Sequence, residues 1–174
     1  MSYKIIDNCL PQDEFLKIKN IMLGANLDWY YNDFIASPGN DLRNDLDDFQ
    51  FTHSAYKHNI GKVSDLHNVL TPILEILNPS AIVRIKANLR PKSNAIKESE
   101  WHYDNDNFDG KVAIFYVNTN NGYTIFDDGT KVQSIENRLV IFDGDTLHTG
   151  STCTDQKVRC LINFMYYNWT DSKL

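Results

Sequence analysis

Two histidines and one aspartate are the residues whose types and spacing best fit metal chemistry. His102 and Asp104 stand two positions apart, and His148 follows far downstream. Side chains at i and i+2 of an extended strand point to the same face, so His102 and Asp104 can converge on one ion. Two imidazoles and one carboxylate on one face of a divalent metal leave other coordination positions open for reacting ligands.

The third donor must come from a strand that is distant in sequence. The run Val132 to Phe142 supplies a candidate that ends near His148, in which Arg138-Leu139-Val140-Ile141-Phe142 predicts a buried strand and Asp143-Gly144-Asp145 predicts the turn after it. The run Lys157 to Tyr167 predicts a further strand. One face of that strand would carry Arg159, Leu161, Asn163 and Met165. A set of two histidines and a carboxylate with open positions is the facial triad of non-haem Fe(II) oxygenases.

Arg159 is predicted to point into the same interior. A buried guanidinium needs an anionic partner, because an unpaired charge in an apolar cavity is strongly unfavourable. The distal carboxylate of 2-oxoglutarate would suit it, since guanidinium binds carboxylate through two parallel hydrogen bonds. A structural salt bridge with Asp155 or Glu136 is the alternative.

Several short motifs occur in an order that resembles a known family. Residues 82 to 168 resemble the Fe(II)- and 2-oxoglutarate-dependent oxygenases, most closely their prolyl 4-hydroxylase-like branch. The opening Ile5-Ile6-Asp7-Asn8-Cys9-Leu10-Pro11 is similar to that of many such domains. The motifs that carry the resemblance are His102-x-Asp104, Tyr116-Val117-Asn118, Asn121-Gly122-Tyr123-Thr124-Ile125-Phe126, His148-Thr149-Gly150 and Arg159.

The resemblance implies a role for each matching residue. His102, Asp104 and His148 would be the catalytic metal ligands for Fe(II), and Tyr116 would donate its hydroxyl to the carboxylate that Arg159 binds. Where the family often places another cosubstrate-binding tyrosine, the strand Ala81 to Pro91 carries other polar residues instead. The further candidates for cosubstrate contact are Asn88, Arg90 and Asn163. The hairpin has Asn121-Gly122 in place of the family's double glycine.

The implied reaction is hydroxylation with O2, coupled to decarboxylation of 2-oxoglutarate to succinate and CO2. A halogenase of this class needs the carboxylate's coordination position for halide, so Asp104 favours hydroxylation. The substrate would be a peptidyl proline or other protein side chain, a free amino acid or small metabolite, or a nucleobase. Met165 stands where nucleobase demethylases carry a second arginine, which disfavours the last. The alternative is a catalytically silent cupin-like protein that binds a metal or a small acid, since this donor set also accepts zinc, nickel and cobalt.

Composition limits the class of protein. The chain has 174 residues, 42% of them hydrophobic, and a net charge of -6, which disfavours nucleic acid and anionic membranes as partners. Its three cysteines are Cys9, Cys153 and Cys160, which support neither a disulfide framework nor a zinc knuckle and favour a reducing cytoplasm. No apolar run is long enough for a secretion signal or a membrane span. The oligomeric state and the metal present as purified stay open.

The order of elements predicts one domain over residues 1–174, mainly β with N-terminal helices. After a strand at Tyr3 to Ile6, a helix begins at Pro11-Gln12-Asp13-Glu14 and stops near Gly24, and a second runs from Ser64 to Leu77 with a kink or restart at Pro72. Helical support would occupy about 1–80. A double-stranded β-helix core, of jelly-roll or cupin type, would occupy about 81–170.

The remaining polar residues have ordinary interpretations. His53, His58 and His67 are predicted to be surface or satisfied core residues. Asp106 and Asp109 are predicted to lie in a solvated loop, because Asn105 to Gly110 has turn chemistry. The region from Asp28 to Asn59 predicts an irregular strand-and-loop segment.

Overall fold

The computed structural model describes residues 3–33, 35, 49–105 and 108–169. In these residues three helices and eleven strands form. Their order is β1 (Tyr3–Ile6), α1 (Gln12–Met22), β2 (Tyr30–Asn32), β3 (Gln50–Lys57), β4 (Gly61–Lys62), α2 (Leu66–Val69), α3 (Thr71–Leu77), β5 (Pro79–Pro91), β6 (Lys111–Tyr116), β7 (Tyr123–Phe126), β8 (Lys131–Gln133), β9 (Arg138–Asp143), β10 (His148–Gly150) and β11 (Val158–Asn168). None of the described helices is long and apolar enough to cross a membrane.

The helices lie where the sequence predicts them. Helix α1 has Asp13 and Glu14 in its first turn, where carboxylates interact favourably with the helix dipole. The predicted Ser64 to Leu77 helix is confirmed as two short helices that meet at Leu70. Pro72 stands in the first turn of α3, a position where its missing N–H breaks no intrahelical hydrogen bond.

The strands form two antiparallel sheets. The large sheet has the order β1-β9-β6-β11-β5-β3-β2, with β4 at the side of β3, and the small sheet has the order β10-β7-β8. The central strand β11 pairs with β5 on one side and β6 on the other. This mainly β architecture confirms the predicted double-stranded β-helix.

The helices cover the outer face of the large sheet. Their buried side chains pack against the sheet residues of that face in one hydrophobic cluster. Its members include Phe15, Ile18, Met22, Leu70, Ile73, Ile85, Phe115, Ile162 and Phe164. The opposite face of the same sheet packs against the small sheet in a second cluster, which includes Val112, Ile114, Tyr116, Phe126, Val132, Phe142, Leu161 and Met165. Alternate residues of β11 therefore serve two cores, as the period of a strand dictates.

Two predictions about strands need correction. The buried strand predicted at Arg138 to Phe142 is confirmed as β9, but the longer run from Val132 is not one strand, because residues 134–137 separate β8 from β9 and Asn137 has a φ of 59°. The Asn137 side chain is buried there and donates to the Leu10 carbonyl oxygen at 2.9 Å. The segment after Asp28 is also more regular than predicted, because β3 pairs with β5 over most of its length. Phe34 and the acidic stretch Asp41 to Asp48 lie outside the described residues.

Candidate metal and cosubstrate site

The structure brings the three predicted metal ligands together. His102, Asp104 and His148 each offer a ligand atom, and these atoms lie within 4.8 Å of one another. Nε2 of His148 is 3.7 Å from Oδ2 of Asp104. The backbones of the two histidines exchange hydrogen bonds of 3.0 and 3.1 Å, so the segment before Asp104 runs beside β10. The group is the one cluster of at least three histidine, cysteine or acidic donors found within the described residues.

Backbone carbonyls orient both imidazoles. Nδ1 of His102 lies 2.9 Å from the Glu100 carbonyl oxygen, and Nδ1 of His148 lies 2.9 Å from that of Thr146. A carbonyl oxygen only accepts, so each Nδ1 carries the proton and each Nε2 keeps its lone pair for a metal. Burial lowers the pKa of His148, which further favours the neutral ligand form even though Asp104 opposes the shift.

Two residues of the large sheet donate hydrogen bonds to the carboxylate of Asp104. Arg84 donates to its Oδ1 at 2.7 Å, and Asn163 donates to its Oδ2 at 2.9 Å. Burial alone would raise the pKa of Asp104, but Arg84, His148, the Asn163 hydrogen bond and His102 outweigh it and lower the pKa to about 2. The carboxylate is therefore ionised at neutral pH and ready to bind a cation.

We expect Arg84→Met to weaken metal binding by about 10- to 100-fold, the usual effect of losing a partner of a metal ligand. Without the guanidinium, the largest favourable charge beside Asp104 is lost, so the pKa of this carboxyl rises. A proton then competes with the metal at a higher pH, so affinity is lost at higher pH than in the unaltered protein. Mn(II) titrations by calorimetry across pH would measure both effects. Arg138→Met, which removes the partner of the exposed Asp7, is the control, and equal affinities in all three proteins would contradict the prediction.

Arg159 lies buried in the same cavity, with 3% of its surface exposed. Its Nε donates to Ser134 Oγ at 2.8 Å, and its Nη2 donates to Thr124 Oγ1 at 3.2 Å. The predicted alternative of a structural salt bridge is not found, because Asp155 accepts from the Asn121 backbone and Glu136 pairs with Lys19. Within the described residues, Arg159 has hydroxyl acceptors and no carboxylate partner.

Two glycines leave room for this guanidinium. A Cβ at Gly122 would lie 2.7 Å from Arg159 Cδ and 2.7 Å from the Thr152 carbonyl oxygen. A Cβ at Gly150 would lie 3.3 Å from Arg159 Nη1. Gly122 is thus required by close approach, and it belongs to the hairpin in which a single glycine replaces the family's double glycine.

Tyr116 lies beside Arg159, with the guanidinium carbon 5.8 Å from its ring centre. Its hydroxyl donates to Thr124 Oγ1 at 2.8 Å, so Thr124 accepts from both Tyr116 and Arg159. Thr124 lines the cavity while Tyr116 is fully buried behind it. Direct donation from Tyr116 to a cosubstrate stays a prediction.

We expect Thr124→Val to lower the free energy of unfolding by about 1–3 kcal/mol, because it leaves the buried Tyr116 hydroxyl without its acceptor. The double variant Thr124→Val with Tyr116→Phe should regain part of that loss, since it removes both hydrogen-bonding groups. Urea unfolding of the single and double variants would measure this. A double variant less stable than Thr124→Val would contradict the assignment.

The other predicted contact residues also reach the cavity. Asn88, Arg90 and Asn163 all line it together with the metal ligands and Arg159. Arg90 donates to Ser99 Oγ at 2.6 Å and stands directly opposite Arg159 across the β5–β11 pair. Asn163 donates a hydrogen bond to Asp104, and its strand position alone did not indicate this role.

Sequence reasoning missed several residues of the site. Arg84, Lys86, Thr124 and Ser134 hold or surround the predicted groups. Alternation along β5 is the signal that could have found the first two, because Arg84 and Lys86 share the strand face of Asn88 and Arg90. No comparable pattern marks Ser134, which lies in the segment between β8 and β9.

The other histidines have the ordinary roles predicted for them. His53 contacts the Asp28 carbonyl oxygen at 2.7 Å and Ser64 Oγ at 2.6 Å, His67 is buried against Tyr56, and His58 is exposed. Asp109 is exposed, as expected, and Asp106 lies outside the described residues.

Neither a protein-family model nor a curated protein matches the chain. Solved structures do match it over 95% of its length. A 2OG-Fe(II) oxygenase-family oxidoreductase from Burkholderia pseudomallei has a TM-score of 0.69 at 11% identity, with 84% of that chain covered. A prolyl hydroxylase from Trichoplax adhaerens, in complex with a hypoxia inducible factor peptide fragment, has a TM-score of 0.63 at 18% identity and 83% coverage.

The chain has the fold of the 2-oxoglutarate and iron oxygenases. A third structure of this fold is the epimerase SnoN with Fe3+, alpha ketoglutarate and a nogalamycin compound, at a TM-score of 0.63, 11% identity and 78% coverage. At these identities the similarity establishes the fold, and the chemistry has to be argued from the side chains.

Proposed function

We propose that the chain is an Fe(II)- and 2-oxoglutarate-dependent oxygenase that hydroxylates a substrate and releases succinate and CO2. The observation that carries this proposal is the pairing of two features in one cavity. One is the cluster of His102, Asp104 and His148, and the other is the buried guanidinium of Arg159, which has no carboxylate partner within the described residues.

The residues that line the cavity fit both an iron ion and 2-oxoglutarate. His102, Asp104 and His148 would hold the iron through two Nε2 atoms and one carboxylate oxygen, a donor set typical of non-haem Fe(II). Arg159 would bind the distal carboxylate of 2-oxoglutarate, with Ser134 and Thr124 fixing the guanidinium. Tyr116 and Arg90 are proposed as further cosubstrate contacts, and so is the Nδ2 amide group of Asn88, which can donate to a carboxylate. Iron and 2-oxoglutarate, when bound, supply the activation of O2.

The remaining contribution of the chain is positioning and exclusion of water. The Glu100 and Thr146 carbonyls fix the imidazole tautomers, and Arg84 with Asn163 keeps Asp104 ionised and oriented. The apolar residues Ile114 and Leu161 line the cavity beside these groups. The solved neighbours were seen with a peptide fragment and with a small molecule, so both substrate classes stay within the proposal.

The test is anaerobic addition of Fe(II) and 2-oxoglutarate, followed by exposure to air. We expect a weak visible charge-transfer band from the bound pair and then succinate, scored against a panel of proline-containing peptides and free amino acids. A catalytically silent cupin-like binding protein would bind metal but give neither the band nor succinate. That result would overturn the proposed function.

A further inference from the structure

The cavity holds a cation that the metal and cosubstrate do not use. Lys86 lies on the cavity face of β5, between Arg84 and Asn88. It is half-buried, and its ammonium has no hydrogen bond or ion-pair partner within the described residues. A charge taken partly out of water without a partner is unfavourable, and such a charge recruits an anion.

Lys86 lies apart from Arg159, the residue proposed to bind the distal carboxylate of 2-oxoglutarate. Lys86 stands opposite Asn163 in the β5–β11 pair, whereas Arg159 stands opposite Arg90. The two pairs are four residue steps apart along the strand, about 13 Å at 3.3 Å per residue. Lys86 is therefore at the metal end, next to the asparagine that holds Asp104.

The charges of the other groups leave Lys86 without a counterpart. Arg84 and Asp104 form an ion pair, and 2-oxoglutarate would place one carboxylate at Arg159 and the other at the iron. Asp104 is the one carboxylate among the described residues that line the cavity. Burial and the nearby Arg84 lower the pKa of Lys86 to about 8, although Asp104 opposes this, so most of the amine is still protonated at neutral pH.

The side-chain amide of Asn88 places a second requirement on the ligand that binds beside Lys86. Asn88 Oδ1 is buried and has no hydrogen-bond partner among the residues that the structure describes, and its side chain lines the same cavity two residues beyond Lys86. An amide oxygen accepts hydrogen bonds, whereas ionised 2-oxoglutarate carries only acceptors. The unpaired Asn88 Oδ1 therefore favours a ligand other than 2-oxoglutarate, one that has an N–H or O–H group.

We propose that Lys86 and Asn88 form the subsite for the primary substrate, and that this substrate carries an anionic group beside a hydrogen-bond donor. Lys86 binds the carboxylate or phosphate, and Asn88 Oδ1 accepts from the amino or hydroxyl group. An amino acid, a hydroxy acid or a chain end with a free carboxylate has this chemistry. The assignment rests on the proposed function, because it presumes that 2-oxoglutarate occupies the Arg159 end.

The test uses acids and counterparts that lack the anionic group as probes. The pairs are L-proline and L-prolinamide, L-lactate and lactamide, Gly-Pro and its C-terminal amide, and glycerol 3-phosphate and glycerol, of which the last pair separates phosphate from carboxylate. Binding is measured by calorimetry on protein loaded with Mn(II) and saturating 2-oxoglutarate. Succinate release with Fe(II) is measured in parallel, with and without each probe.

We expect at least one acid to bind at least tenfold more tightly than its counterpart without the anionic group. Lys86→Met should abolish that preference, Lys86→Arg should retain most of it, and Lys92→Met, at an exposed lysine just beyond β5, should leave it unchanged. The apparent KM for 2-oxoglutarate in probe-free turnover should change less than threefold in Lys86→Met.

Three results would overturn the inference. They are the absence of any acid preference in the unaltered protein, a preference that survives Lys86→Met, and a tenfold or larger rise in the KM for 2-oxoglutarate in that variant, which would make Lys86 a cosubstrate contact. Succinate release without acid preference rejects this subsite alone. No succinate and no 2-oxoglutarate binding by the unaltered protein would instead reject the proposed function.

Discussion

Arg159→Met should reduce the affinity for 2-oxoglutarate by about 30-fold to several thousand-fold, while metal binding stays within a few-fold of the unaltered protein. The loss corresponds to about 2 to 5 kcal/mol, the usual effect of removing one member of a buried charged pair. Metal affinity is retained because Arg159 makes no hydrogen bond to His102, Asp104 or His148. Calorimetric titration of Mn(II), then of 2-oxoglutarate, separates the two affinities.

Lys157→Met is the matched control for that experiment. Lys157 is exposed and lies two residues before Arg159, so its loss removes a positive charge from the same part of the chain without touching the cavity. Its 2-oxoglutarate affinity should equal that of the unaltered protein. An Arg159→Met protein that binds 2-oxoglutarate normally would show that the cosubstrate carboxylate binds elsewhere.

His148→Ala and His102→Ala should each weaken metal binding by more than 100-fold and abolish succinate formation. The loss exceeds the 10- to 100-fold effect of altering an outer partner, because a donor atom itself is removed. The fold should persist, since the backbone hydrogen bonds between residues 102 and 148 do not need the imidazoles. Metal content after dialysis against Fe(II) or Mn(II), together with circular dichroism, would measure both outcomes.

His58→Ala serves as the control for the two histidine variants. His58 is exposed and lies beyond the end of β3, so its replacement should leave metal content unchanged. A His148→Ala protein that retains a full equivalent of metal would remove the basis for the proposed centre. Weaker metal binding in all three variants alike would point to destabilisation in place of lost coordination.

The three candidate metal ligands could be predicted because each follows from a local rule. His102 and Asp104 have the i, i+2 spacing of an extended segment, although the structure places them outside the named strands with an isolated bridge from His102 to His148. The turn before His148 is marked by Asp143-Gly144-Asp145. Arg159 follows from alternation along one long strand. Helix α1 could also be predicted from the sequence, because Phe15, Ile18 and Met22 keep helical spacing, and the structure buries them.

Alternation along β5 marks Arg84 and Lys86 as candidates for the site, but their contacts could not be predicted, because those contacts depend on strand pairing. The alternating Arg84, Lys86, Asn88 and Arg90 is also typical of the solvent-facing side of a half-buried strand. Only the pairing of β5 with β11 places that face inside, where Arg84 meets Asp104. The break at Asn137 is similar, since its left-handed backbone is held by a hydrogen bond to Leu10, distant in sequence.

The organisation of residues 1–174 as one domain stays a prediction. Packing of α1, α2 and α3 on the sheet that also carries the site favours it, because helical and β parts share one hydrophobic cluster. Limited proteolysis would test it, since a cleavage product that retains only the β part should lose cooperative unfolding.

The metal donors are anchored to different layers of the molecule. The two histidines belong to the segment that accompanies the small sheet, whereas Asp104 is tied by Arg84 and Asn163 to the large one. An ion at this place would link two layers that are otherwise joined by apolar packing and by hydrogen bonds such as those of Tyr116 and Arg159 to Thr124. Deuterium uptake by amides along the cavity rim should then slow when metal is added, even before any cosubstrate arrives.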